Sequence, residues 1–203
     1  MPIVERRGQP ALHYVIDDYT DPWKNAPAIV LQHGFARSAK FWYQWVPYLA
    51  RFYKVIRTDL RGFGESSRDF DLQSGFTAAN WIGDLDAILD HAGVDCVHYC
   101  GESTGGIIGM LFAAERPQRL RTLSLISAPV RLAETAAKRV GVGEAALREL
   151  GAMAYARAKN GKDRFPPGTD PGLMEWFATE QGKRSEEHTS ELQSQSTISY
   201  AVF

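Results

Sequence analysis

The sequence has few cysteines, and their positions exclude two kinds of site. Cys96 and Cys100 are the only cysteines among 203 residues. They fall in a stretch predicted as a strand, which separates them by about 13 Å at roughly 3.3 Å per residue. Cysteines this far apart cannot form a disulfide with each other. Since no further ligand pattern surrounds them, we expect two small buried core residues, and no metal or cofactor is predicted.

The sequence also lacks an excess of charge and a long apolar segment. Lys and Arg number 23 against 24 Asp and Glu, so the net charge of -1 provides no basic surface for nucleic acid. The N-terminal segment has no apolar run typical of a signal peptide, and no window approaches the length of a membrane span. We therefore predict a globular, cytoplasmic protein that binds neither nucleic acid nor a membrane.

Apolar runs rich in β-branched residues alternate with amphipathic helical patterns over the first two thirds of the chain. This alternation predicts an α/β fold with a mostly parallel sheet flanked by helices. The predicted strands are Ala28–Gln32, Lys54–Asp59, Cys96–Cys100 and Leu123–Ser127.

Three helices are predicted between and after these strands. Ser38 is expected to cap the first. Thr77 is expected to cap the second, in which Phe76 and Trp81 are spaced for a hydrophobic staple. A third, apolar helix follows residue 103. The predicted apolar face of the first helix comprises Phe41, Trp42, Trp45 and Leu49.

The amino-acid composition changes after residue 130. An Ala-rich segment follows, in which Glu144–Lys159 is predicted as a helix, and then a Pro- and Gly-rich stretch over 161–172. We therefore divide the chain into an α/β core (1–130), the start of a helical cap insertion (131–183) and a tail (184–203).

A G-x-S-x-G pattern, with Gly101, Ser103 and Gly105 at its defined positions, lies between a predicted strand and a predicted helix. That context is typical of a nucleophile elbow. A serine on so sharp a turn is strained, and flanking glycines remove the Cβ atoms that would otherwise collide. The pattern predicts Ser103 as a nucleophile. The alternative is a Gly-rich turn whose serine takes no part in chemistry.

A second motif, His33-Gly34-Phe35, follows the predicted strand Ala28–Gln32 at its carboxyl edge, where ligands bind in open α/β sheets. Gly34 lets the chain turn, so that the backbone N–H of Phe35 faces Ser103 beside that of Thr104. These two N–H groups are predicted to form an oxyanion hole. His33 could instead act as a general base, although a histidine at a strand end more often holds its own loop.

Three motifs in this order resemble those of the α/β-hydrolase family. They are His33-Gly34-Phe35, Asp59 to Ser66 and Gly101 to Gly106. The overall sequence pattern is most similar to that of the esterase, enol-lactonase and cofactor-free haloperoxidase group. The resemblance implies acyl transfer through a serine ester on a small-molecule ester or lactone. A non-catalytic binding protein of the same fold is the alternative, and no feature predicts the oligomeric state.

The same resemblance implies two further points. Epoxide hydrolases and dehalogenases of this fold carry aspartate at the nucleophile position, so Ser103 argues against both. The segment after Asp59 is expected to be structural, with Gly62 and Gly64 shaping a loop and Arg61 pairing locally.

The resemblance also implies a triad acid and a histidine after the nucleophile, and the sequence has no good candidate for either. Only His188 follows Ser103, and its surroundings, like the terminal residues 198–203, resemble a translated sequencing adapter. No carboxylate follows the strand Leu123–Ser127, while Asp163 and Asp170 lie in the Pro- and Gly-rich stretch. We therefore expect residues 184–203 to be non-native and the chain to be a truncated, poor catalyst, or a fragment without independent function.

Overall fold

A computed structural model describes residues 2–129, 149–160 and 164–183. The chain divides into two compact units, Met1–Val130 and Arg131–Phe203. In the described residues, the first unit contains a six-stranded sheet with helices, and the second contains helices.

The sheet of the first unit is mixed but mostly parallel. Its strands lie in the order β1-β2-β4-β3-β5-β6, in which β1 and β2 pair antiparallel with their neighbours and the other four strands are parallel. The predicted α/β fold is thus confirmed, although β1 and β2 were not predicted. The strands are β1 (Ile3–Arg6), β2 (Gln9–Asp17), β3 (Ala28–Gln32), β4 (Lys54–Thr58), β5 (Val97–Glu102) and β6 (Leu120–Ile126).

Two of the predicted helices are present as expected. The Thr77 side chain accepts a hydrogen bond from the Asn80 N–H, and the rings of Phe76 and Trp81 lie 6.4 Å apart, so both the cap and the staple are confirmed. The helices of the first unit are α1 (Val46–Leu49), α2 (Leu72–Gly75), α3 (Ala78–His91) and α4 (Thr104–Glu115), with 3₁₀ turns at Ala39–Trp42 and Pro117–Arg119.

The single helix predicted after Ser38 is wrong. Ser38 caps only the short 3₁₀ turn, and α1 begins separately at Val46. Pro47 provides a physical reason, because its ring would collide with the carbonyl of residue 43 in a continuous helix. As a result Trp42 is buried, whereas Trp45 is 46% exposed.

Successive strand residues point to opposite sides of the sheet. The apolar side chains on both sides are buried, so both faces of the sheet are covered. Val30 and Tyr99 pack with the apolar residues of α3 and α4 on one face. Leu31 and Cys100 pack with Trp42 on the other. Burial on both faces accounts for the continuous apolar runs from which the parallel strands were predicted.

Some predicted boundaries shift. The predicted strand Cys96–Cys100 begins one residue later and continues to Glu102, and β6 begins at Leu120 rather than at Leu123. Because Cys96 precedes the strand, it is only partly buried, while Cys100 is buried as expected.

In the second unit, α5 (Ala152–Lys159) and α6 (Pro171–Gly182) are described. Gly151, at φ +80°, precedes α5, so the predicted helix Glu144–Lys159 does not run through this position. Asp170 caps α6 through the N–H groups of residues 172 and 173. Asp163 and the predicted tail 184–203, including His188, lie outside the described residues.

Candidate active site

The three sequence motifs meet at one edge of the sheet. Gln32 at the end of β3 is in register with Thr58 of β4 on one side and Gly101 of β5 on the other. The segments that follow these strands therefore emerge side by side at the carboxyl edge, where parallel sheets bind ligands. This topology brings His33, Asp59 and Ser103 into the same region.

Ser103 lies on a strained turn between β5 and α4. Its backbone has φ +54° and ψ −117°, a conformation that costs a non-glycine residue on the order of 1–3 kcal/mol. Hydrogen bonds hold the turn from both sides, since the Ser103 N–H donates to the Ile126 carbonyl (2.9 Å) and the Ser103 carbonyl accepts from the Gly106 N–H (2.9 Å). The surrounding structure thus fixes the serine in a conformation that it would not adopt alone.

Gly101 and Gly105 occupy positions at which no side chain fits. A Cβ at Gly101 would lie 2.4 Å from the Gly105 carbonyl oxygen, and a Cβ at Gly105 would lie 2.4 Å from the Gln32 carbonyl oxygen. Both obstacles are backbone atoms, which cannot rotate away. The two glycines therefore let β5, β3 and the first turn of α4 approach closely around Ser103.

The loop after β3 packs directly against the serine. A Cβ at Gly34 would lie 2.9 Å from the Ser103 Cβ and 2.6 Å from Oε2 of Glu102. Phe35 follows Gly34, and its ring contacts that of Phe63 at 5.5 Å between centroids. Thr104, the other predicted oxyanion residue, is buried at the start of α4, where the helix presents its positive end. The structure thus brings both predicted oxyanion segments to Ser103.

His33 holds this loop from within the core. Its ring is 1% exposed, its Nδ1 lies 2.7 Å from the Gly34 carbonyl oxygen, and its Nε2 accepts a hydrogen bond from the Leu60 N–H at 3.1 Å. Both ring nitrogens are therefore engaged with backbone groups of the loops that follow β3 and β4. With both nitrogens engaged, His33 is unsuited to act as a general base.

Asp59 is buried in the loop after β4 and accepts several hydrogen bonds there. Its carboxylate accepts hydrogen bonds from the His13 ring (2.7 Å) and from the N–H groups of Ala39 (2.6 Å) and Glu65 (3.0 Å). Burial raises the pKa of this carboxyl, but the hydrogen bonds and the charge of nearby His33 together outweigh burial, so the pKa lies below its ordinary value. A Cβ at Gly64 would lie 2.2 Å from the carboxylate, so this glycine lets the loop close over Asp59.

Arg61 does not pair locally, contrary to the prediction. Its guanidinium forms two hydrogen bonds of 2.6 Å with Asp84 of α3, and it also donates to the Gly75 carbonyl at 3.0 Å. The arginine is 1% exposed. It therefore ties the loop after β4 to a helix 23 residues further along the chain.

The described residues that follow Ser103 include no histidine. Strand β6 ends at Ile126 and is followed by Ser127, Ala128 and Pro129, none of which is acidic. Among all the residues that the structure describes, no group of three or more His, Cys, Asp or Glu side chains is placed to hold a metal ion. None of the described helices has the length and apolar composition needed to cross a bilayer.

Comparisons with known sequences agree on one protein family. The profile of the alpha/beta hydrolase fold family matches residues 27–150. The RutD protein of Stutzerimonas stutzeri, named for a carbamate hydrolase activity, is 30% identical over 149 residues, which are 73% of this chain and 55% of that protein. Epoxide hydrolase 2 of Siraitia grosvenorii is 34% identical over 107 residues, or 51% of this chain and 33% of the relative. The chain thus spans about half the length, or less, of such curated relatives.

Solved structures agree on the architecture. The enol-lactonase from Burkholderia xenovorans LB400 superposes with a TM-score of 0.81 at 23% identity, covering 98% of this chain and 73% of that chain. At this identity the likeness establishes the fold alone.

Proposed function

Because this chain belongs to the alpha/beta hydrolase fold family, we propose that it is a serine hydrolase of small-molecule esters or lactones, with Ser103 as the nucleophile. The observation that carries the proposal is the backbone of Ser103, which is strained at the carboxyl end of β5 with Gly34 packed against its Cβ. Strain of this kind concentrates at functional sites, where it presents a side chain to a ligand.

In the proposed reaction the Ser103 hydroxyl attacks the substrate carbonyl carbon. The alcohol or enol leaves, an acyl-enzyme forms on the serine, and water then releases the acid. The N–H groups of Phe35 and Thr104 donate to the oxyanion that develops on the carbonyl oxygen. This reaction requires no cofactor, and we expect it to take place in the cytoplasm.

A serine hydroxyl is a weak nucleophile until a positioned base removes its proton. Since the described residues after Ser103 include no histidine, we propose that the base and its acid lie outside the part of the chain that the structure describes. We further propose that residues 131–183 are the start of a helical cap insertion. Residues 1–203 alone are then expected to be a poor catalyst.

Of the candidate reactions, hydrolysis of esters and lactones suits this site best. The resemblance to the family implies that epoxide hydrolases of this fold carry aspartate at the position of Ser103, which argues against epoxide hydrolysis. A carbamate carbonyl could be attacked in the same way, so carbamates belong in the substrate panel of any test.

The test is hydrolysis of activated esters, lactones and carbamates by the complete protein and by its Ser103→Ala variant. We expect the loss of kcat/KM to be at least about 10³-fold, because only the attacking oxygen is removed. Ser124→Ala, at an exposed position of β6, is the matched control and should keep full activity. Undiminished turnover by Ser103→Ala would exclude this nucleophile, and a protein without turnover on any of the three classes would favour the binding-protein alternative.

A further inference from the structure

Glu102, the residue before the proposed nucleophile, contacts the oxyanion loop at two points. Its Oε2 accepts a hydrogen bond from the Gly34 N–H at 3.2 Å and lies 3.1 Å from Nη1 of Arg37. The two side chains are only 19% and 24% exposed. One carboxylate oxygen therefore contacts the loop on either side of Phe35 and Ala36.

The loop between these two contacts needs an external restraint. Ala36 has φ +59°, a left-handed conformation that is uncommon for a residue with a side chain. His33 fixes the start of the loop through the Gly34 carbonyl, and a further restraint acts at Arg37. Glu102 supplies the restraint there, and charge-assisted hydrogen bonds of this type are stronger than neutral ones.

Arg37 has a second effect on the site. A lone carboxylate beside the serine would oppose the negative charge of an oxyanion, since like charges in a partly buried site repel strongly. The guanidinium at 3.1 Å offsets that charge while the carboxylate keeps its hydrogen bond to Gly34. The pair can therefore restrain the loop without working against the reaction.

Resting on the assignment of Ser103 as nucleophile, we propose that Glu102 is a positioning residue for the oxyanion hole. It holds the Phe35 N–H in place through Gly34 and Arg37, and Arg37 neutralises its charge. Small displacements of positioning groups can cost as much as about 10²-fold in rate. The effect should fall on kcat, because the oxyanion exists only in the transition state and the intermediates.

The test compares kcat and KM of variants of the complete protein on an activated ester. Glu102→Ala should lower kcat by about 10- to 100-fold with little change in KM. Glu102→Gln keeps an oxygen that can accept from Gly34, so it should recover most of this loss. Glu65→Gln removes a more exposed carboxylate, which is 60% exposed and lies 3.7 Å from Nζ of Lys40, and it should leave kcat unchanged.

A double variant tests the charge balance between Glu102 and Arg37. Arg37→Gln leaves the Glu102 carboxylate uncompensated and should lower kcat, and adding Glu102→Gln to it should restore part of the loss. A purely structural ion pair would also recover in the double variant, so kcat is compared under conditions in which urea denaturation shows every variant to be folded. The amide proton of Gly34 should also shift in the NMR spectrum of Glu102→Ala and stay in place in Glu65→Gln.

Two results would overturn this inference. One is an unchanged kcat in Glu102→Ala, and the other is a loss in Arg37→Gln that the second substitution deepens. If either occurs while Ser103→Ala is inactive, only the role of Glu102 fails. If Ser103→Ala keeps full activity, the proposed function itself fails.

Discussion

Gly105 offers a severe test of how closely the first turn of α4 packs against β3. Alanine is normally the better helix former, by about 0.5–1 kcal/mol over glycine in a helix interior. At Gly105, however, a Cβ would lie 2.4 Å from the Gln32 carbonyl oxygen and 2.8 Å from that of His33. Neither backbone oxygen can move without shifting β3 or α4, so Gly105→Ala should destabilise the protein by about 1–3 kcal/mol, as overpacked substitutions do.

Gly83 in α3 is the matched control, because a Cβ there would meet no atom within 4 Å. Gly83→Ala should raise the free energy of unfolding by about 0.5–1 kcal/mol, through helix propensity alone. Urea denaturation followed by circular dichroism measures both variants against the parent. Equal stabilisation by the two substitutions would refute the close approach of α4 to β3.

Two further predictions concern buried charges. Because the folded-state pKa of Asp59 lies below its ordinary value, its contribution to stability is present above pH about 3.9 and is lost as pH falls through the folded pKa. Asp59→Asn should therefore show a shallower acid decline in the free energy of unfolding than the parent, and parallel declines would count against it. Asp84→Ala leaves the Arg61 guanidinium buried without its carboxylate, so it should cost about 3–5 kcal/mol. Asp86→Ala breaks two more exposed pairs, with Arg116 and Arg119, each worth less than about 1 kcal/mol, so a loss as large as that of Asp84→Ala would refute the buried pairing.

The sheet and its three motifs could be predicted because each depends on short-range patterns. Ala28–Leu31 and the pair Val55-Ile56 are apolar because both faces of the sheet are covered, and Ser103 lies between glycines where backbones touch. By contrast, β1 is only four residues long and Ile3 is 51% exposed, so its pattern is weak. Single elements were thus predictable where burial left a pattern in the sequence.

Long-range pairings could not be predicted in the same way. Arg61 binds Asp84, 23 residues away, and His13 binds Asp59, 46 residues away. Both contacts depend on how the loop after β4 lies against α3 and β2, which no local pattern encodes. Glu102 was overlooked because its role depends on the fold that brings β5 beside the loop after β3.

The most direct test of the central claim is to locate the covalent adduct formed with a fluorophosphonate probe. The complete protein, in a preparation that hydrolyses esters, is labelled and digested, and the modified peptide is identified by mass spectrometry. We predict one adduct per chain, on Ser103, which is lost in Ser103→Ala. An active preparation labelled on another residue, or labelled equally in the variant, would contradict the assignment of Ser103 as the nucleophile.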